Sequence, residues 1–393
     1  MQIDFHHTAT YVVARAGGLS HADAATVAHA AQYVDDATTD GEIFGSDGIQ
    51  LYRRLASAHR MLDYRNLLDL RNHLCWIPFH FLPGNCGHGP EEACAAPMAD
   101  RLICLPNSPV AQDMMRAALS DKDKPYGPHR LGIAAHTFID TFAHQQFAGI
   151  DHDVNTVNDL RWINPEGSAE TDDYFYRRRK EVFTHTGDSA IQRMAVAWRR
   201  SEAPWPARLM EMVQHIIQGK LPTLGHGQAL SYPDRPYARW QYVNGRGETV
   251  RRDNPTDFID ACDALCRWFQ RWSAGDAEAD VPGLPANIRR KIEEMIRATD
   301  DPDGHNRHRN WLDAIRGDFF GFGPEELTYV GKGHGSWKQI AVGNIEDVAS
   351  GKEIYEFGDV FRNSDWKRFH DAAKAHRREI LDDILPRHGI IAA

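Results

Sequence analysis

Between Gly132 and Gly149 the chain reads GIAAHTFIDTFAHQQFAG, with His136, Asp140 and His144 at four-residue intervals in a largely apolar run. On a helix each such step turns only about 40°, so the three groups form one polar stripe, with Phe138, Ile139 and Phe142 on the other side. A helix with apolar residues behind such a stripe buries most of its circumference, and the stripe then faces the interior or a cleft. An unpartnered polar group there costs roughly 2–7 kcal/mol, and a charge more. A metal ion would satisfy all three groups. The competing reading is a hydrogen-bonded core histidine with a local His–Asp contact.

Helical rise puts the Cα atoms of His136 and His144 roughly 12 Å apart, each about 6 Å from Asp140. One ion can hardly take all three, whereas a cluster bridged by Asp140 can. Metals about 3.5–4 Å apart are the usual arrangement for hydrolysing phosphoesters. Imidazole and carboxylate without thiolate suit two or three zinc ions, with manganese or iron as alternatives.

Further ligands must come from elsewhere in the chain. His59 falls in the stripe of Leu51, Leu55, Ala58 and Leu62 and is expected to be buried. Asp35 shares a face with Ala24, Ala28 and Ala31, while Asp36 lies on the more polar side with His29 and Tyr33. His6 borders the apolar face of the first helix and ranks above His7. His80 stands in WIPFHFLPG, and His226 lies between two glycines that let backbone and imidazole approach a ligand closely. Downstream, HGQALSYPD adds Asp234. The expected metal ligands are therefore His6, His7, Asp35, His59, His80, His136, Asp140, His144 and His226. Asp35, Asp36 and Asp140 are the catalytic carboxylates, with Asp36 or Asp63 orienting an imidazole.

The elements that must position these residues read as helices. Phe5, Ala9, Val12, Val13 and Ala16 recur at helical spacing up to Gly17-Gly18, and Ser20 caps a second helix with Asp23 three residues on. A third helix is expected near Leu51 to Leu62, and others over Ser189–Arg200, Pro206–Gln218, Asn254–Ser273, Ile288–Thr299 and Ser364–Leu385. The expected fold is mostly α: a multi-helix metal-binding core over residues 1–245 and a helical C-terminal extension over 246–393, packed on the core or separate.

The 393 residues carry 21 histidines, ample material for metal sites, and a net charge of −10. That balance gives no footprint for nucleic acid or anionic membrane. Two stretches mixing basic and aromatic residues, Tyr174 to Lys180 and Trp198 to Trp205, could meet a phosphate or a membrane surface, but a solvated helix face is the preferred reading of both. Six cysteines form no CxxC pair, and no signal peptide or apolar run of spanning length is found. A cytoplasmic location is expected, with leaderless export as the alternative.

An N-terminal histidine, an inward aspartate, a middle histidine and a His-x3-Asp motif followed by another histidine together resemble the superfamily of zinc-dependent phospholipase C and S1/P1 nuclease. The resemblance implies an all-α fold with three zinc ions, two of them bridged by Asp140, and His226 as a ligand of the third. In that superfamily an N-terminal tryptophan gives its amine to zinc; here the first residue is Met1. The stretches DFHH, QYVDDA, SAHRMLDYRN, WIPFHFLPGN, HTFIDTFAHQ and GHGQALSYPDRP also identify the chain as resembling a bacterial family of unknown function over nearly its full length.

The expected activity is metal-dependent phosphoester hydrolysis, in which a water activated at the metals attacks phosphorus. The substrate would be a phospholipid or a small phosphate ester. The alternatives are an HD-type phosphohydrolase, a nuclease, and a non-enzymatic helical scaffold with structural metal. An exported effector would have a cognate inhibitor as partner.

Overall fold

The computed structural model describes residues 1–59, 69–171, 223–345 and 353–392. A π-helical segment, Asp4–Ala9, leads into α1 (Thr10–Ala16). α2 (His21–Asp36) begins at Ser20, whose hydroxyl accepts from the Asp23 amide. After β1 (Gly41–Gly45) and β2 (Leu51–Arg54) come α3 (Asp69–Phe79), α4 (Met98–Arg101), α5 (Pro109–Ser120) and α6 (Gly127–Ala143). β3 (Asn158–Ile163), β4 (Ala169–Thr171), β5 (Arg239–Val243) and β6 (Thr249–Asp253) follow. The chain then forms α7 (Asn254–Ala274), α8 (Ala286–Arg297), α9 (Gly304–Arg316), α10 (Trp337–Val342), β7 (Glu353–Tyr355), α11 (Asp359–Asn363) and α12 (Asp365–Arg378).

α6 is the central element. From His129 to Ala143 every residue is buried, because α2, α5, α7 and α12 surround it. The largest apolar cluster joins α1, α2, α5 and α6 to α7, α8, α9 and the segment around Ile380–Leu385. A second gathers Tyr33, Ile43, Trp337, Trp366 and Phe369, and a third packs Phe81 and Phe147 against Leu160, Trp240 and Tyr242.

Two sheets correct the mostly α expectation. One runs β2-β1-β7, with β1 antiparallel to β2 and parallel to β7. The other runs β4-β3-β5-β6, antiparallel throughout, with Trp162 opposite Trp240 and Tyr242 opposite Val250. The helix expected from Leu51 to Leu62 is corrected with them, since Leu51–Arg54 is a strand and Leu55 to His59 is not helical.

Turn chemistry explains both corrections. Asp47 Oδ1 accepts from the amides of Ile49 and Gln50 around a left-handed Gly48, closing the β1–β2 hairpin. Asn244 Oδ1 accepts from Arg246 and Glu248 around a left-handed Gly247, closing β5–β6. Strand pairing then overrides an apolar period that reads equally well as a short helix.

The expected helices Ser189–Arg200 and Pro206–Gln218, the stretches Tyr174 to Lys180 and Trp198 to Trp205, and Asp63 lie outside the described residues. No helix among the described residues is long and apolar enough to cross a membrane.

Candidate metal centre

The centre is organised by close contact between α2 and α6. A Cβ added to Gly132 would lie 2.4 Å from the Val27 carbonyl oxygen, so only glycine lets the two backbones approach this far. One turn further along each helix, His136 Nδ1 donates to the Ala31 carbonyl at 2.8 Å. The same pattern recurs three times. His80 Nε2 donates to Ser57 O at 2.9 Å, His144 Nδ1 to His80 O at 2.8 Å, and His226 Nδ1 to Leu230 O at 2.7 Å. A carbonyl oxygen only accepts, so each bond fixes the ring proton on the nitrogen that makes it.

The opposite ring nitrogens consequently present lone pairs, and they face carboxylates. His136 Nε2 is 3.2 Å from Asp140 Oδ2, and His80 Nδ1 is 3.4 Å from the same oxygen. Those two nitrogens are 3.2 Å from each other and 4.0 and 3.9 Å from Asp35 Oδ1. On the other side, His144 Nε2 is 3.1 Å from Asp234 Oδ1 and His226 Nε2 is 3.5 Å from Asp234 Oδ2. Lone pairs facing lone pairs at such distances repel unless a proton or a cation stands between them.

His6 completes the arrangement. Its ring stacks on His136 with centroids 3.7 Å apart, and its Nε2 lies 3.2 Å from Asp140 Oδ1. It is fully buried, yet neither ring nitrogen makes a hydrogen bond, and Asp140 Oδ2 lacks a hydrogen-bond donor as well. Three groups of ligating atoms result: His6–His136–Asp140, Asp35–His80–His136 and His144–His226–Asp234. The first two share His136. Asp140 reaches toward the third through His144, whose Nδ1 is 3.6 Å from Oδ2. These His/Asp clusters fit metal ions in donor type, spacing and unsatisfied buried atoms.

The α-ammonium of Met1 also enters the cluster, 2.6 Å from Asp140 Oδ1 and 3.2 Å from Asp234 Oδ1. Burial opposes its charge, but Asp140, Asp234 and Asp35 raise its pKa to about 11. Burial likewise opposes ionisation of Asp140, and His144, the ammonium, His136 and His6 outweigh it, holding the carboxyl well below its usual range. Asp234 is held down similarly by the ammonium, His226 and His144. Burial lowers His136 and His226 to about 4 and His6 well below the ordinary imidazole range. Neutral imidazoles beside ionised carboxylates are the protonation states that bind metal. Asp35 differs: burial raises it to about 7 against the pull of His80 and the ammonium. It is also the most exposed member at 34%, so the cluster opens toward Asp35, Asp234 and His226.

The structure brings together His6, Asp35, His80, His136, Asp140, His144 and His226 from the expected set. Asp234, which the sequence offered only as a carboxylate eight residues beyond His226, joins them, as does the Met1 nitrogen. Three expected residues stand apart. His7 pairs with His308 at 2.9 Å. His59 is buried with its ring 6.2 Å from that of Trp76. Asp36 accepts from Tyr329 and from Gln32, whose amide also reaches Asp35 at 3.4 Å.

A family model described as a family of unknown function (DUF6765) matches residues 1–384. The chain belongs to that family. Membership spans the candidate metal centre, both sheets and α12, and brings no activity with it. No curated protein and no solved structure compared with the chain matches it.

Proposed function

We propose that the protein is a metal-dependent phosphoester hydrolase, with two or three zinc ions held by the three His/Asp groups. One observation carries the reading. Four histidines commit their protons to backbone carbonyls and turn their lone pairs onto Asp140, Asp234 and Asp35. Such an array has no purpose in an apolar core, where each unpaired group costs stability, and it matches the orientation of metal-ligating imidazoles. Bound ions would supply Lewis acidity toward a water molecule and toward phosphoryl oxygens.

The chain's own residues divide the remaining work. Asp140 joins the groups by offering both oxygens, and His144 and the Met1 ammonium keep it ionised against the cost of burial. Asp35, the most exposed member of the groups, stands at their open side. Asp234 and His226 border the same opening, where a phosphoester would enter. A phospholipid or a small phosphate ester is the proposed substrate class.

Elemental analysis of the purified protein, paired with hydrolysis of a chromogenic phosphodiester and of phospholipid vesicles, tests the reading. Two or more ions per chain and activity lost on chelation and restored by zinc are expected. Bound metal without hydrolysis of either substrate would favour a structural metal, and absence of metal after supplementation would sink the proposal.

A further inference from the structure

Away from the metal centre, a cavity of about 50 Å³ is lined among the described residues by Arg53, Arg54, Arg71, Lys374, Arg377 and Asp40, with apolar groups beneath. None of the residues of the three metal groups lines it. The cations come from three separate elements: β2 carries Arg53 and Arg54, α3 carries Arg71, and α12 carries Lys374 and Arg377 one turn apart.

Their charges are unequally compensated. Arg54 is buried against Glu353 at 2.6 Å, Arg71 lies 2.9 Å from Asp40, and Lys374 is 3.3 Å from Asp371. These carboxylates are shared, since Glu353 also meets Lys338 at 3.4 Å and Asp371 meets Lys367 at 2.6 Å. Arg53 and Arg377 have no ion-pair partner among the described residues. Arg377 is partly buried, and burial, then Arg53 and Arg71, hold its guanidinium below its ordinary range. Among the described residues, two guanidinium groups without a paired carboxylate therefore line one small cavity, where like charges repel and an anion between them is favoured.

We propose that this cavity binds one phosphate-sized oxyanion. Guanidinium forks match the oxygens of a tetrahedral anion and give it charge-assisted, bidentate hydrogen bonds. The volume admits such an ion. Because the cations stand on a strand and two helices, the site is formed before the anion arrives, and little ordering cost is left for binding. The proposal does not rest on the hydrolase reading.

The test is thermal unfolding of the full chain, stripped of metal by chelation, titrated with inorganic phosphate against chloride at constant ionic strength. Wild type should show a saturable rise in melting temperature with phosphate alone. Arg377→Gln should weaken the apparent Kd at least about tenfold, the loss of one charge-assisted contact. Arg53→Gln, at an exposed position, should fold normally, melt no lower than wild type without phosphate because repulsion is relieved, and lose most of the response. Should Arg377→Gln fail to fold, Arg53→Gln decides alone. A wild type with no saturable response overturns the site. So does an Arg53→Gln variant that responds like wild type, which would place the phosphate elsewhere.

Discussion

Two histidine-rich regions lie within this protein, and they differ in what the imidazoles face. Around α6, ring protons go to backbone carbonyls and lone pairs meet Asp140, Asp234 and Asp35. Around α9 and α10, the imidazoles meet each other and aromatic rings. His7 Nδ1 is 2.9 Å from His308 Nε2, and His29 stacks on Trp337 with centroids 3.8 Å apart. Burial lowers the pKa of His7, His29 and His308, as it does in the first region. No ligating trio lies there among the described residues. Burial and histidine count are therefore shared; the inward carboxylate separates a cluster that could hold metal from a packed polar core.

Removing that carboxylate should have the largest effect. Asp140→Ala is expected to lose most bound metal and to lower phosphodiester hydrolysis by more than about 100-fold, read by elemental analysis beside initial rates. The matching change in the other region, His308→Ala, should leave metal content intact.

A subtler change separates ligand identity from ligand placement. Gly132→Ala keeps every ligand but drives a Cβ to 2.4 Å from Val27 O, forcing α2 and α6 apart. Metal affinity should fall about 10–100-fold through the displaced Ala31–His136 bond. Stability should drop by roughly 1–3 kcal/mol. Competition with a chromogenic chelator and urea unfolding measure the two quantities, and unchanged affinity would mean that the helix contact does not position His136.

His308→Ala itself should cost about 1–3 kcal/mol, because buried His7 is left without its hydrogen-bond partner. Urea unfolding in the presence and absence of chelator should give the same loss. A loss present only in metal-loaded protein would join the two regions functionally and erase the distinction drawn between them.

The smallest expected effect is a pH slope from a histidine outside both regions. His370 is buried, and burial, Lys374 and Arg54 hold its pKa well below the ordinary value. Its Nδ1 accepts from the Leu55 amide at 3.3 Å, so the ring is neutral in the folded state. Below about pH 6.5 the unfolded chain binds a proton that the folded chain does not, so stability falls as pH falls, by up to about 1.4 kcal/mol per pH unit. That slope should flatten in His370→Gln, measured by urea midpoints from pH 7.5 to 5. An unaltered slope would assign the acid sensitivity to the other buried histidines.

Local patterns made part of this legible from residues alone. The four-residue spacing of His136, Asp140 and His144 puts them on one face of α6, and the apolar residues behind them make that helix central. Ser20 and Asp23 mark the start of α2, and the alanine face carries Asp35 inward. Helical geometry is local, so such features survive without knowledge of the partner. The stripe Leu51–Leu62 is the counterexample: its apolar period was compatible with a helix, but Leu51–Arg54 pairs with β1 across a hairpin, and β1 pairs in turn with β7, about 300 residues further along the chain.

What the sequence by itself determined is a set of ligand types and the face of one helix that presents them. The partners were decided by tertiary structure: His6 and Met1 at the chain start, His80 after α3, and His226 and Asp234 from a loop beyond β4 all converge on Asp140 or its neighbours. Their approach depends on backbone contacts such as Gly132 against Val27 and on carbonyls such as Ser57 O and Leu230 O, which carry no side-chain signature. Loop positions and backbone acceptors are set by the packing of the whole chain, and sequence spacing holds no measure of them.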